Sequence, residues 1–157
     1  LDIAGNSFPT ASTGNALDVM TAAGNLRLSV SGSWASALNG ILISGAGGGT
    51  LTIAGFANNT VDGLTGGTGI SVNTARFDAD AVTAGYQTVA GGTTVVGSSG
   101  NPVGASGVIF TNVSGDLAFT DLDVFASNGS GFLMTGTGAV NTGAGTGTRR
   151  RYCCQPQ

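Results

Sequence analysis

Short apolar strands recur along this chain at a nearly constant spacing, and this repeat limits the folds that the chain can adopt. Leucines that begin such segments stand at positions 1, 26 and 51, a step of 25 residues. Related segments begin near residues 75–77 and at Leu117. A second segment follows in each unit, and its copies occupy residues 15–19, 39–43, 68–72, 106–110 and 130–134. The sequence therefore contains five related units.

Within each segment, apolar and polar residues alternate. Leu51 and Ile53 alternate with Thr52 and Ala54, and a period of two is typical of a half-buried strand. The 29 glycines supply turns rather than helices. We therefore predict an all-β chain with little or no helix.

A unit of this size cannot bury its own apolar face, but stacked units can. The repeat predicts a single-stranded parallel β-helix, or solenoid, of about five turns, with Leu51 stacked on Leu26. An antiparallel sandwich also contains many short strands, but it does not explain a constant step with similar residues at similar positions.

Polar residues precede the second strand of every unit. They should stack into a ladder at one corner of the coil, closing each turn through side-chain hydrogen bonds. The members are Asn15, Asn39, Thr68, Ser106 and Ser130.

We predict one repeat domain over residues 1–148, with an insertion at 83–106 that is about a dozen residues longer than its counterparts. Residues 149–157 differ from the rest because they hold three of the five arginines and both cysteines, Cys153 and Cys154. We expect this tail to be disordered or non-native. We also expect the chain to be an excerpt of a longer protein.

Charged residues are few and unevenly chosen. The chain has no Lys, Glu or His, and residues 1–148 carry eight Asp against two Arg, a net charge of −6. This surface disfavours nucleic acid, which requires a basic footprint. The composition excludes His-based triads, Lys Schiff bases and His-ligated metals, and we predict no cofactor and no metal. No apolar run reaches the roughly 20 residues of a membrane span, so we expect a chain that does not span a membrane.

Two pairs of aspartates are the candidate catalytic groups: Asp78 with Asp80, and Asp121 with Asp123. Residues i and i+2 of a strand share a face and lie about 7 Å apart, which falls in the separation used by inverting glycosidases. A lyase would also need a base such as Lys. The simpler interpretation is a solvated surface, with Arg76 paired to Asp78.

Trp34 and Tyr86 are candidate ligand-binding residues because an amphipathic aromatic ring can stack on a sugar. Packing is the commoner role of a lone aromatic. A ladder of outward threonines would bind ice, but the Leu1 unit offers Asp2 and Ala4 and the Leu26 unit offers Arg27 and Ser29, so this ladder is broken.

Two runs, Gly49–Gly55 (Gly-Thr-Leu-Thr-Ile-Ala-Gly) and Tyr86–Val95, carry a resemblance. They resemble the repeats of bacterial autotransporter passengers and related secreted β-helix proteins. The resemblance implies a right-handed coil, export to the extracellular space or the bacterial cell surface, and a role in display or adhesion. It carries over no catalytic residue.

Three functions from different classes follow. The first is a structural or adhesive segment of a larger bacterial secreted or cell-surface protein, whose partners are host or environmental glycans or other copies joined through open ends of the coil. The second is a polysaccharide lyase or hydrolase that uses the aspartates. The third is an ice- or glycan-binding solenoid.

Overall fold

The computed structural model describes residues 1–12, 14–21, 24–36, 38–45, 49–62, 66–77, 88–136, 139–141 and 152–153. All regular structure in these residues is β-strand, and they contain no helix long and apolar enough to cross a bilayer. The strands are β1 (Asp2–Ser12), β2 (Leu17–Met20), β3 (Asn25–Ser36), β4 (Ile41–Ser44), β5 (Thr50–Asp62), β6 (Ile70–Asn73), β7 (Arg76–Phe77), β8 (Thr88–Val96), β9 (Val108–Val113), β10 (Asp116–Phe125), β11 (Phe132–Gly136), β12 (Ala139–Asn141) and β13 (Tyr152–Cys153).

The strands form two parallel sheets that the chain visits in turn. Sheet A has the order β1-β3-β5-β8-β10-β12, with β7 paired to β5 and β13 paired to β10. Sheet B has the order β11-β9-β6-β4-β2. Successive strands of sheet B are separated by one passage through sheet A, so the five strands of this sheet define four complete turns. The predicted parallel β-solenoid is confirmed, with about four turns; its handedness stays a prediction.

Apolar side chains of both sheets stack into columns inside the coil. In sheet B, Ile41 pairs with Ile70, which pairs with Val108, and all three are fully buried. In sheet A, Leu26 pairs with Leu51 as predicted. Five of the largest buried side chains are aromatic: Trp34, Phe56, Phe77, Phe110 and Phe119. Each turn therefore buries its apolar face against its neighbours, which a single unit cannot do.

The predicted polar ladder is present at the corner that leads into sheet B. Asn39 Nδ2 donates to Asn15 Oδ1 at 2.9 Å, and the Thr68 backbone N–H donates to Asn39 Oδ1 at 2.9 Å. Farther along, the Ser130 N–H donates to Ser106 Oγ at 3.2 Å. We call Asn15, Asn39 and Thr68 the asparagine ladder.

The glycines that follow Asn39, Thr68 and Ser106 are required by the close approach of the next turn. A Cβ placed on Gly40 would lie 2.3 Å from the carbonyl oxygen of Gly69 and 2.2 Å from Val61 Cγ1. Gly69 and Gly107 meet the next turn in the same way, whereas a Cβ on Gly131 would meet nothing within 4 Å. These glycines let successive turns approach at the strand spacing of about 4.8 Å while a valine of sheet A fills the corner.

The long strands of sheet A bend in the middle, and this bend interrupts their pairing. The β3–β5 pair is shifted between Leu28 and Ser29 and again between Val30 and Gly32. One residue with positive φ stands at the bend in each of four strands: Gly5, Gly32, Asn58 and Gly92. Glycine and asparagine adopt this backbone region most readily, so the bend explains their recurrence here.

The first two strands of sheet A do not keep the 25-residue step that separates Leu1 from Leu26. Asp2 pairs with Ser29, which places Leu1 beside Leu28. The displacement is two residues. A shift of two leaves every side chain on the same face of the strand, so alternation alone cannot detect it.

The fourth turn contains the additional residues. Arg76 and Phe77 pair with Thr52 and Ile53, and among the described residues the next pairing with β5 begins at Val95, opposite Thr60. Residues 88–96 of the predicted 83–106 insertion form β8, a strand of sheet A, while residues 83–87 lie outside the described part of the chain.

In the C-terminal tail, Tyr152–Cys153 pairs with Val124 and Phe125, and residues 149–151 and 154–157 lie outside the described part of the chain. The predicted domain limits stay predictions.

Candidate functional site

A groove of about 250 Å³ lies at the corner where the chain passes from sheet B into the fourth turn of sheet A. Three separate segments build it: the start of β5, the turn before β7, and the end of β9 with its following turn. Its lining residues are Gly49, Thr50, Leu51, Thr74, Ala75, Arg76, Asn112 and Ser114. We call it the Arg76 groove.

Backbone hydrogen bonds between neighbouring turns hold the groove in place. The Thr74 N–H donates to Thr111 O at 2.9 Å, the Phe77 N–H donates to Ser114 O at 2.8 Å, and the Ser114 N–H donates to Ala75 O at 3.0 Å. Thr74 and Asn112 both have positive φ, 51° and 52°. Non-glycine residues rarely adopt this region. Two of them at adjacent positions of neighbouring turns therefore indicate a backbone shape that the surrounding hydrogen bonds impose.

The chemistry of the groove is that of a hydrogen-bonding surface. Arg76, Thr50, Thr74 and Asn112 are exposed, and together they offer a guanidinium, two hydroxyls and an amide. A guanidinium provides five donors in a fixed plane, while hydroxyl and amide groups both donate and accept. Such a set complements the hydroxyl groups of a sugar.

Arg76 belongs to an outward column that also contains the other arginine of residues 1–148. The pairing places Arg27 opposite Thr52 and Thr52 opposite Arg76. The two arginines are therefore two strands apart, about 9.6 Å at the usual strand spacing. Arg27 does not line the groove, so the two positions share an environment on the sheet but differ in access to the site.

Asp121 and Asp123 lie on β10, on the outward side beyond the bend, and both are partly exposed. Thr93 Oγ1 donates to Asp121 Oδ2 at 3.1 Å. Neither aspartate lines the Arg76 groove. Asp78 and Asp80, the other predicted pair, lie outside the described residues, as does the predicted ion pair between Asp78 and Arg76. Within the described part of the chain, no three acidic or Cys side chains gather as a metal site would require.

Of the two aromatic candidates, Trp34 lies in the described part of the chain and Tyr86 does not. Trp34 is only 1% exposed, and its Nε1 donates to Oδ1 of Asn59 at 2.9 Å inside the coil. This burial leaves no ring face of Trp34 at the surface for a sugar. Tyr86 lies outside the described residues. No sequence pattern pointed to Asn59, although a buried tryptophan N–H usually requires an acceptor.

A second concavity, of about 220 Å³, lies on the outer face of sheet B. Leu42, Met20 and Asp18 line it together with small polar residues of β4 and β6. Its lining combines one carboxylate with apolar and small polar side chains, so it presents no single chemistry.

Comparison of the chain with protein-family models, with curated proteins and with solved structures finds no match. The fold and the geometry of its grooves are therefore the basis for inferring a function.

Proposed function

We propose that the chain is a structural and adhesive β-helix segment of a larger bacterial secreted or cell-surface protein, and that it binds uncharged glycans at the Arg76 groove. The observation that carries this proposal is the groove itself, a concave, hydrogen-bonding site built on a stacked scaffold. Export and a bacterial source rest on the resemblance of residues 49–55 and 86–95 to autotransporter-type repeats.

The scaffold supports a display role because its internal features repeat while its outer surface does not. Asn15, Asn39 and Thr68 repeat at the corner, and apolar columns continue through the turns. The outward column Ser33, Thr60, Val95 and Asp123, in contrast, changes from hydroxyl to apolar to acidic along the coil. A coil with constant internal contacts can tolerate such changes, and surface sites then arise locally.

Charge favours an uncharged ligand. Residues 1–148 carry a net charge of −6, so a polyanionic glycan meets long-range repulsion. One guanidinium surrounded by hydroxyl and amide groups suits hydrogen bonds to neutral sugar hydroxyls, and these bonds depend little on salt.

The test is binding to an array of neutral and acidic glycans, with two matched variants. We expect Arg76→Ala to weaken binding to the neutral glycan that binds best by about tenfold, the loss of roughly one charge-assisted hydrogen bond. Arg27→Ala removes the same charge from the same column outside the groove, and its affinity should stay within about twofold of the parent. The proposal fails if no neutral glycan binds, or if both variants bind like the parent.

The same preparation tests the enzyme alternative. The enzyme hypothesis predicts turnover of acidic or neutral polysaccharides that Asp121→Asn abolishes and Arg76→Ala retains. This result would favour an enzyme with its catalytic aspartate on β10 over an adhesive segment.

A further inference from the structure

We propose that Asn128 is a site of spontaneous deamidation in the folded protein, whereas the coil protects the chemically equivalent Asn39. The inference does not depend on the proposed function. It rests on the two Asn-Gly pairs of the chain, 39–40 and 128–129, which stand at different places in the connections that lead into sheet B.

The chemistry needs only the chain and water. The backbone nitrogen of the following glycine loses its proton and attacks Cγ of the asparagine. A new C–N bond forms, the bond from Cγ to the side-chain nitrogen breaks, and that nitrogen takes up a proton and leaves as ammonia. Water then opens the cyclic imide at either carbonyl, producing an aspartyl or an isoaspartyl linkage. A glycine in the second position favours the reaction because the absence of a Cβ lets its nitrogen approach.

Asn39 and Gly40 are held in a geometry that opposes this attack. The Asn39 amide is fixed at both ends by the asparagine ladder, with Nδ2 bound to Asn15 and Oδ1 bound to Thr68. The attacking nitrogen is occupied as well, because the Gly40 N–H donates to Thr68 O at 3.1 Å. Gly40 is buried against the next turn. The reaction at Asn39 therefore requires the corner to open first.

Asn128 and Gly129 are less restrained than Asn39 and Gly40. Both residues are exposed, in the connection between β10 and β11. Asn128 Nδ2 donates to Gly104 O at 3.0 Å and to Ser127 Oγ at 3.3 Å, both at the surface. Within the described part of the chain, the Gly129 N–H donates no hydrogen bond. The attacking nitrogen is thus available without disruption of the coil.

Deamidation at position 128 would change the turn that it occupies. A carboxylate cannot donate to Gly104 O, so the bond that ties this connection to the previous turn is lost. An isoaspartyl linkage also lengthens the backbone next to Gly129, whose φ of 73° belongs to a tight turn.

Trypsin separates the two sites, because cleavage after Arg27, Arg76 and Arg149 places Asn39 in fragment 28–76 and Asn128 in fragment 77–149. The folded protein is incubated at mildly alkaline pH, digested, and analysed by mass spectrometry with fragmentation to locate each modified asparagine. A sample digested without incubation gives the baseline. We expect Asn39 to react at least about tenfold more slowly than Asn128 in the folded protein, and at a similar rate in urea, where both are unprotected.

The variant Asn128→Gln keeps an amide but would have to form a larger, less favoured ring. It should remove the modification from fragment 77–149 and leave fragment 28–76 unchanged. Equal rates at positions 39 and 128 in the folded protein would overturn the proposal. So would modification of fragment 77–149 that persists in Asn128→Gln.

Discussion

The two sheets of the coil are built from the same turns but follow different rules of pairing. From β2 to β9, sheet B keeps one register through four short strands, with Leu17, Ile41, Ile70 and Val108 in line. Sheet A has longer strands, and shifts interrupt the β1–β3, β3–β5 and β8–β10 pairs. Turns of the coil differ in how many residues they contain. In sheet B the additional residues lie in the connections between strands, whereas in sheet A some of them lie within the strands, at the bend.

Each arrangement depends on a different kind of residue. Sheet B needs small residues directly before its strands, because the backbones of successive turns approach closely there. Sheet A needs residues that tolerate positive φ, and it needs polar groups inside the bend, where shifted strands leave backbone atoms without a regular partner. Asn59 fills this role, since its Oδ1 accepts from Trp34 and its Nδ2 donates to Val30 O at 3.2 Å.

The largest loss of stability should come from adding a side chain at the glycine directly before β4, where successive turns of the coil meet. In Gly40→Ala the new methyl would lie 2.3 Å from a backbone carbonyl oxygen of the next turn, and backbone cannot move aside as a flexible side chain can. We expect a loss of about 3 kcal/mol in the free energy of unfolding, at the upper end of overpacking costs, measured by urea denaturation.

The matched control is Gly131→Ala, at the same corner of the last unit, where a Cβ meets nothing within 4 Å. Its unfolding free energy should stay within about 0.5 kcal/mol of the parent. Equal costs at both positions would contradict the close-approach explanation and would point to backbone conformation instead.

A smaller loss should follow from removing the polar group inside the bend of sheet A. Asn59→Ala leaves the buried Trp34 N–H without its acceptor, which costs about 2 kcal/mol. Trp34 is the only tryptophan of the chain, so its fluorescence reports the change directly. We expect a red-shifted emission and an earlier urea midpoint.

Thr60→Ala provides the comparison, because Thr60 is the next residue of β5 and is exposed. It should cost about 0.5 kcal/mol and leave the emission unchanged. A normal emission in Asn59→Ala would mean that the bend does not depend on this hydrogen bond.

The contrast between the sheets also explains what the sequence could predict. The five strands of sheet B could be located because a polar residue and a small residue precede each one, and at Gly40, Gly69 and Gly107 close contacts require the small residue. The 25-residue step does not give the register at the start of sheet A, where Leu1 lies beside Leu28, because an offset of two residues leaves every side chain on the same face. The inward position of Asn59 was missed because the bend resets the alternation.

The candidate site was less predictable than the fold. Thr50, Thr74 and Asn112 come from three different turns, and only the register brings them beside Arg76. The aspartate pairs could be recognised by spacing within one strand, but a groove that spans turns leaves no such pattern.

The smallest predicted effect is a gain in stability when a buried hydroxyl group is removed from the interior of the bend. Thr94 follows Asn59 in the inward column, because Val95 pairs with Thr60. Its hydroxyl is fully buried and has no hydrogen-bond partner within the described residues. Thr94→Val replaces the hydroxyl by a methyl of similar size, so we expect stability to rise by about 1 kcal/mol. Thr93→Val, at the exposed neighbouring position, loses only the surface bond to Asp121 and should change stability by less than about 0.5 kcal/mol. If Thr94→Val instead destabilises the protein, the bend must contain an acceptor or donor for this hydroxyl, and the polar interior of sheet A would extend from Asn59 into the next turn.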